Sequence, residues 1–331
     1  MSKATFALIA AAGAATGAGI TALVYSAKTS RQQQLAPSAP PTLTKPPSPA
    51  AVPRPSAPQL PSRLQSPVDP AGLFQYGFPG PIADNVNSLP LASAYDRRTR
   101  NPSWVAEHIT TESLKLNSGD RKHSNFYEEQ SIPPMFRAKL SDYFRSGYDR
   151  GHQVPAADAK WSQEAMDSTF SLANMCPQVG EGFNRDYWAH FEEFCRGLTR
   201  KYPSVRVVTG PLYLPKKDPA DGKWRVSYEV IGNPPNVAVP THFYKVIFAE
   251  DGKTGGNVSL GAFVLPNARI PNEKSLSDFE VPLEAIERAS GLEFASQLTA
   301  NRKKRLCQEI KCEITVREFN KVSNKKALSS S

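Results

Sequence analysis

Acidic side chains are missing from the first 68 residues of this 331-residue chain, which hold six Lys or Arg and no Asp or Glu. That lack, with Ser present, is the composition of an organellar presequence and not of a secretory signal followed by a soluble domain. Cysteine is scarce as well. The four residues Cys176, Cys195, Cys307 and Cys312 form no CxxC pair, which excludes a zinc site built on paired ligands and argues against a disulfide-stapled scaffold. All four are expected as free thiols, with only Cys307 and Cys312 close enough in the chain to bridge. No G-x-S-x-G elbow occurs, and Cys176 has no sequence-level sign of a paired base, so serine or cysteine hydrolase chemistry is disfavoured. No internal repeat is present, which removes solenoid architectures.

Net charge is +9, but it is unevenly placed. Residues 301–331 carry nine basic and three acidic side chains. The interval between the two basic ends is slightly acidic, so the high isoelectric point is a property of the ends and weak evidence for a nucleic-acid partner.

Residues 4–27 are uncharged and rich in Ala and Gly, with Lys3 before them and Lys28 and Arg31 after. This length just spans a bilayer. Residues 1–34 therefore read as a mitochondrial presequence or apolar anchor, with inner-membrane association through 4–27; a presequence that is simply removed is the alternative. Between Pro37 and Pro81 lie 14 of the 30 prolines. Such a stretch buries too little apolar surface to offset chain entropy, and 35–71 reads as an extended linker. The folded domain is expected over 72–320, with a disordered tail at 321–331.

Within that domain five Val-, Ile-, Phe- and Tyr-rich runs bounded by Gly, Pro and Asn read as strands: 104–110, 205–214, 226–231, 241–249 and 258–265. Helical patterns occupy 162–170, 186–202 and 282–290, the last with Gly291 as its stop signal. Strands and helices do not alternate regularly, so the class is α+β.

Chemistry concentrates between Tyr148 and Arg196. In Asp149-Arg150-Gly151-His152, a base of near-neutral pKa follows a permanent cation, with a glycine that permits close approach and an aspartate able to fix the turn locally. This set suits an anionic substrate. Downstream, two asparagines, Asn174 and Asn184, flank a Pro-containing loop. A helix beginning near Asn184 would align Asn184, Trp188, Glu192 and Arg196 on one stripe. The bland alternative is a solvated helix with Glu192 and Arg196 as an ion pair and Trp188 facing the core.

The DRGH tetrapeptide, the LANMCPQ loop and the FNRDYW helix start, with SGYDRGHQ before and VTGPLYLP behind, resemble the sugar-non-specific DNA/RNA endonucleases, most closely the mitochondrial endonuclease G branch of fungi. The resemblance runs from about Tyr95 to Phe319. It implies a ββα-metal, or His-Me finger, core with a mixed or antiparallel sheet and flanking helices. It also implies a Mg²⁺-dependent endonuclease acting on DNA and RNA, single- or double-stranded, and leaving 5′-phosphate ends, with Mn²⁺ as a substitute metal. His152 matches the general base and Asn184 the metal ligand. Glu192 matches a carboxylate that orients the metal's waters, Asn174 a residue supporting the loop, and Arg121, Arg150 and Arg196 the arginines that hold the phosphate. Some secreted members have an Asn where this chain has Phe170, so Phe170 is left out of the site. A homodimer, residence at the inner membrane or in the intermembrane space, and release to the nucleus are further implications. Activity is expected to climb as pH rises through the pKa of His152. The competing reading is a non-catalytic nucleic-acid-binding or structural protein tethered in the intermembrane space.

Overall fold

The computed structural model describes residues 83–316. The expected presequence or anchor (1–34), the linker (35–71) and the tail (321–331) lie outside the described residues. Among the described residues no helix is long and apolar enough to cross a membrane.

The strands are β1 (Asp84–Asn87), β2 (Leu91–Asp96), β3 (Asn101–Thr110), β4 (Asp149–His152), β5 (Met175–Gln178), β6 (Ser204–Leu212), β7 (Lys216–Lys217), β8 (Trp224–Arg225), β9 (Val230–Ile231), β10 (Val237–Ala238), β11 (His242–Glu250), β12 (Val258–Pro266) and β13 (Lys303–Arg305). Among the described residues six α-helices accompany them: α1 (Thr111–Lys115), α2 (Leu140–Tyr143), α3 (Gln163–Ser168), α4 (Tyr187–Gly197), α5 (Leu283–Ser290) and α6 (Leu306–Glu309). Seven strands form one sheet in the order β1-β2-β3-β6-β11-β12-β13, antiparallel except for the last pair. This is the α+β, mostly antiparallel architecture expected.

Its central strands are apolar on both faces because both are covered. On one face Val205 and Val207 of β6, Phe243 and Ile247 of β11 and Phe263 of β12 meet Tyr187, Trp188, Phe191 and Cys195 of α4 in the main core. The helix supplies these residues from one stripe. Phe191 is fully buried, and its truncation to Ala should destabilise the fold by about 3–5 kcal/mol.

The smaller pair β4–β5 is antiparallel, with Gly151 opposite Cys176 and His152 opposite Met175. An excursion containing α3 joins the two strands, and a short helical turn, Gly180–Asn184, leads from β5 into α4. Hairpin and helix together make the ββα core.

Three local expectations need correction. α4 begins at Tyr187, not near Asn184, because Asp186 has a non-helical backbone (φ −131°, ψ −98°). The strand expected over 226–231 is reduced to Val230–Ile231 pairing with Val237–Ala238. Residues 221–230 are all exposed, so their apolar alternation has no surface to pack on, and pairing there is confined to the two-residue strands β8 and β9. Finally, Cys307 and Cys312 form a disulfide, while Cys176 and Cys195 are free and buried. Proximity in the folded C-terminal segment, which sequence spacing alone does not fix, decides that pairing.

Candidate active site

Side chains alternate along β4, so Arg150 and His152 point to one side and Asp149 and Gly151 to the other. The His152 imidazole is 7% exposed. Its ring stands edge-on to Phe170 at 4.9 Å and tilted against Phe126 at 5.7 Å. Burial in this aromatic corner, assisted by the positive charge of Arg121, pushes its pKa down to about 3. The imidazole is therefore neutral in neutral solution, the form that accepts a proton. Its Nε2 is buried and has no hydrogen-bond partner among the described residues.

Two arginines flank that corner. The Arg150 guanidinium lies 4.4 Å from the Phe126 ring centroid, and that of Arg121 lies 5.5 Å from Phe170. Such stacking holds a cation in place without neutralising it. Both line a cavity of about 330 Å³ together with Phe126, Tyr148, Asp149, Asn184 and Arg185.

Asn184 closes the turn before α4, its N–H donating to the Val179 carbonyl at 2.9 Å. Its Nδ2 donates to Asp149 Oδ2 at 2.8 Å. That bond fixes the flip of the amide and leaves Oδ1 as the end free for a cation. Asp149 is shared: Arg185 Nε donates to the same oxygen at 2.7 Å and its Nη2 to the other. The aspartate thus reaches across to the helix start and does not fix its own turn, because the antiparallel ladder already holds β4.

Asn174 has its amide wholly engaged with backbone. Oδ1 accepts from Val154 N–H at 3.0 Å, and Nδ2 donates to the carbonyls of Val154 (2.9 Å) and Thr169 (2.8 Å). It clamps the chain two residues beyond His152. Gly151 serves the same end differently. A Cβ there would sit 2.0 Å from Gln178 Oε1, so only glycine lets the buried Gln178 side chain lie across β4.

Glu192 and Arg196 occupy successive turns of α4. Burial pushes the Glu192 carboxyl up to about 7 against the pull of Lys245, Arg196 and Arg121. Arg196 Nη1 donates to Asp158 at 2.7 Å and its Nε to Glu193 at 3.0 Å, so its guanidinium is tied into the protein. Arg121 acts electrostatically on both His152 and Glu192, which makes it the cation common to both halves of the site. The structure thus brings Asn184, Arg121 and Arg150 around one cavity, packs His152 against Phe126 of its lining, and ties Asn174 to backbone and Arg196 to Asp158 and Glu193.

Sequence reasoning missed Phe126, Arg185 and the buried charges beneath α4. Phe126 carries no motif, since one aromatic in a loop is unremarkable. Arg185 directly follows Asn184 and was legible only as an exposed charge. Phe170, left out of the site, is the ring that His152 packs against.

A metal held by three or more His, Cys, Asp or Glu side chains is not formed among the described residues. The donor set at Asn184 is of another kind. A single amide oxygen with its flip fixed by Asp149, beside two arginines, fits a hard cation that keeps most of its waters and is completed by an anionic substrate.

A sequence profile of the DNA/RNA non-specific endonuclease family matches residues 69–301. The chain is 62% identical over 263 residues to the mitochondrial nuclease of Saccharomyces cerevisiae, covering 78% of this chain and 80% of that protein. With endonuclease G, mitochondrial, of Homo sapiens it shares 45% identity over 228 residues, 69% of this chain and 74% of that one. Among solved structures, that of the EndoG/EndoGI complex, described as showing the mechanism of EndoG inhibition, superposes with a TM-score of 0.64 at 44% identity, covering 73% of this chain and all of that one.

Proposed function

The chain belongs to the DNA/RNA non-specific endonuclease family, and from that membership we propose that it is a Mg²⁺-dependent endonuclease that hydrolyses phosphodiester bonds of both DNA and RNA, with His152 as general base and Asn184 as the metal's protein ligand. One observation carries the reading: β4 delivers a neutral, dehydrated imidazole and a stacked arginine beside the asparagine whose amide Asp149 orients.

A phosphodiester must be attacked in line by water while negative charge grows on the phosphoryl and leaving oxygens. His152 takes the proton from that water; burial lowers its pKa and so favours the unprotonated ring in neutral solution. Arg121 and Arg150 grip the non-bridging oxygens, and their aromatic stacking keeps them extended toward the cavity. Asn184 would hold Mg²⁺, which supplies Lewis-acid stabilisation of the leaving oxygen when bound, with Mn²⁺ as a substitute. Glu192 orients water from the helix side once ionised. Arg196 holds that carboxylate's surroundings through Asp158 and Glu193, and would reach a phosphate only by opening those pairs. The products are 5′-phosphate and 3′-hydroxyl ends.

Sequence indifference follows if the grip is on phosphates and not on base edges. The names of the relatives support a mitochondrial setting, and we extend this to the inner membrane or intermembrane space, a homodimeric state and release to the nucleus on membrane damage. Sedimentation tests the dimer, and fractionation before and after membrane damage tests the release.

The deciding experiment is cleavage of supercoiled plasmid and of single-stranded RNA by the purified chain with Mg²⁺ or EDTA, alongside His152→Ala. Cutting of both substrates only with metal and only by the wild type supports the reading. Binding without cutting under any divalent metal would move a non-catalytic binding role ahead.

A further inference from the structure

Lys245 lies in the middle of β11, between Phe243 and Ile247 on the core face of the sheet. It is 1% exposed. The ammonium donates to Thr209 Oγ1 on β6 at 2.8 Å and stands 4.7 Å from the centroid of the Trp188 ring on α4. A dehydrated ammonium in an aromatic core is costly unless opposite charge faces it. Two acids do, Glu107 from β3 and Glu192 from α4, and Lys245 acts on both. Trp188 and Glu192 are four residues apart on the helix, so Glu192 stands on the same face one turn beyond the indole that covers the ammonium.

The two acids differ. Burial and the neighbouring Asp158 hold the Glu107 carboxyl well above the usual carboxylate range, a shift that disfavours its charged form. The other charged groups that face Glu192 are Arg196 on its own helix, Asp158 from the turn Ala156–Asp158, and Arg121 from the turn Arg121–His123. Arg196 is bound to Asp158 and Glu193, and Arg121 lines the open cavity where a phosphate would claim it. Only Lys245 is a cation that neither solvent nor substrate can reach.

We propose that Lys245 is a positioning residue for the hydrolysis: anchored by Thr209 and Trp188, its ammonium is the fixed counter-charge that holds Glu192 as an oriented carboxylate at the back of the cleft. This rests on the role given to Glu192 above. Without that charge, burial and Asp158 would be opposed by Arg196 and Arg121 alone, and protonation of Glu192 would extend to higher pH.

The test compares Lys245→Met, which keeps length and removes charge, with Lys245→Arg. Folding is followed by thermal melting, and the Glu192 side-chain carboxyl is titrated by ¹³C NMR in metal-free protein, assigned by its loss in Glu192→Gln. In Lys245→Met the Glu192 titration should move up by roughly one unit or more. The acid limb of the rate profile should move with it, and the rate at pH 7 should fall roughly 10- to 100-fold. Lys245→Arg should restore both. A folded Lys245→Met whose Glu192 titration and pH profile coincide with wild type overturns the proposal. Should Lys245→Met fail to fold, Thr209→Val removes the anchor and keeps the charge; an unmoved Glu192 titration there overturns the proposal equally, and a smaller upward shift supports it. The NMR titration is independent of cleavage. Full activity of Glu192→Gln would sink the role of Glu192 while leaving the coupling to Lys245 measurable.

Discussion

Asp149 and Asn184 are 35 residues apart in sequence and joined by a 2.8 Å hydrogen bond between the amide Nδ2 and a carboxylate oxygen. The first residue of the strand that ends in His152 thus sets the orientation of the residue that ends the turn before α4. The amide can present its oxygen outward only because the carboxylate takes its N–H.

Asp149→Ala should therefore leave Asn184 free to flip. The expected result is a roughly 10- to 100-fold higher Mg²⁺ concentration for half-maximal cleavage, with a smaller change at saturating metal, whereas Asn184→Ala should not be rescued by added metal. Metal-activation curves for the two variants make the comparison. Identical curves for Asp149→Ala and wild type would remove the orienting role.

The His152 imidazole has a folded pKa of about 3 against an ordinary 6.5. A depressed folded pKa means that the fold favours the neutral ring, so its contribution to stability is complete above pH 6.5 and is lost as pH falls toward 3. Between pH 6.5 and 4 this single group should remove about 3 kcal/mol. Urea unfolding across that range should show His152→Leu losing less stability than wild type on acidification. Parallel stability curves would mean that the ring is hydrated in solution.

The same burial displaces the expectation that activity climbs through the pKa of the histidine. His152 is already neutral at pH 5, so a rise in rate between pH 6 and 8 should report ionisation of Glu192, which burial pushes up to about 7. Activity should be present above that value and lost as pH falls through it. Single-turnover rates over this window should show the limb in wild type and not in Glu192→Gln, whose residual rate should be flat.

Gly151 faces Gln178 so closely that a methyl group has no room. Gly151→Ala should destabilise the domain by roughly 1–3 kcal/mol through overpacking. Gln178→Ala should relieve most of that loss in the double variant, which a double-mutant cycle measured by thermal melting detects. Additive effects would show that the clash is relieved elsewhere.

The Cys307–Cys312 bond closes a loop with a sequence separation of 5. A loop this short restricts the unfolded chain by roughly 2 kcal/mol. Melting with and without a phosphine reductant should show a lower transition in the reduced protein, and the Cys307→Ser/Cys312→Ser variant should melt with the reduced form in both buffers.

Much of this molecule was legible one residue at a time. Apolar runs around β3, β6, β11 and β12 marked the centre of the sheet, because a strand buried on both faces must be apolar nearly throughout. Gly291, in the left-handed region at φ 74°, ended α5 where its stop signal stood. The DRGH segment and the asparagine before α4 supplied the candidate groups of the proposed chemistry, since a base, a cation and an oxygen ligand can be named from residue type and order. The pattern at 186–202 put the start of α4 within one residue, whereas a helix begun near Asn184 is prevented by the non-helical backbone of Asp186. Strand 226–231 was over-read because alternation says which side is apolar and not whether anything covers it.

By itself the sequence determined the kinds of group available and the α+β arrangement that carries them, because both follow from residue chemistry and periodicity. The tertiary structure decided what each group does. Only folding buries His152 between Phe126 and Phe170, turns Asp149 onto Asn184, commits Arg196 to Asp158 and places Lys245 under Trp188. Charge state and orientation depend on desolvation and on partners far away in the chain, and neither is written at any single position.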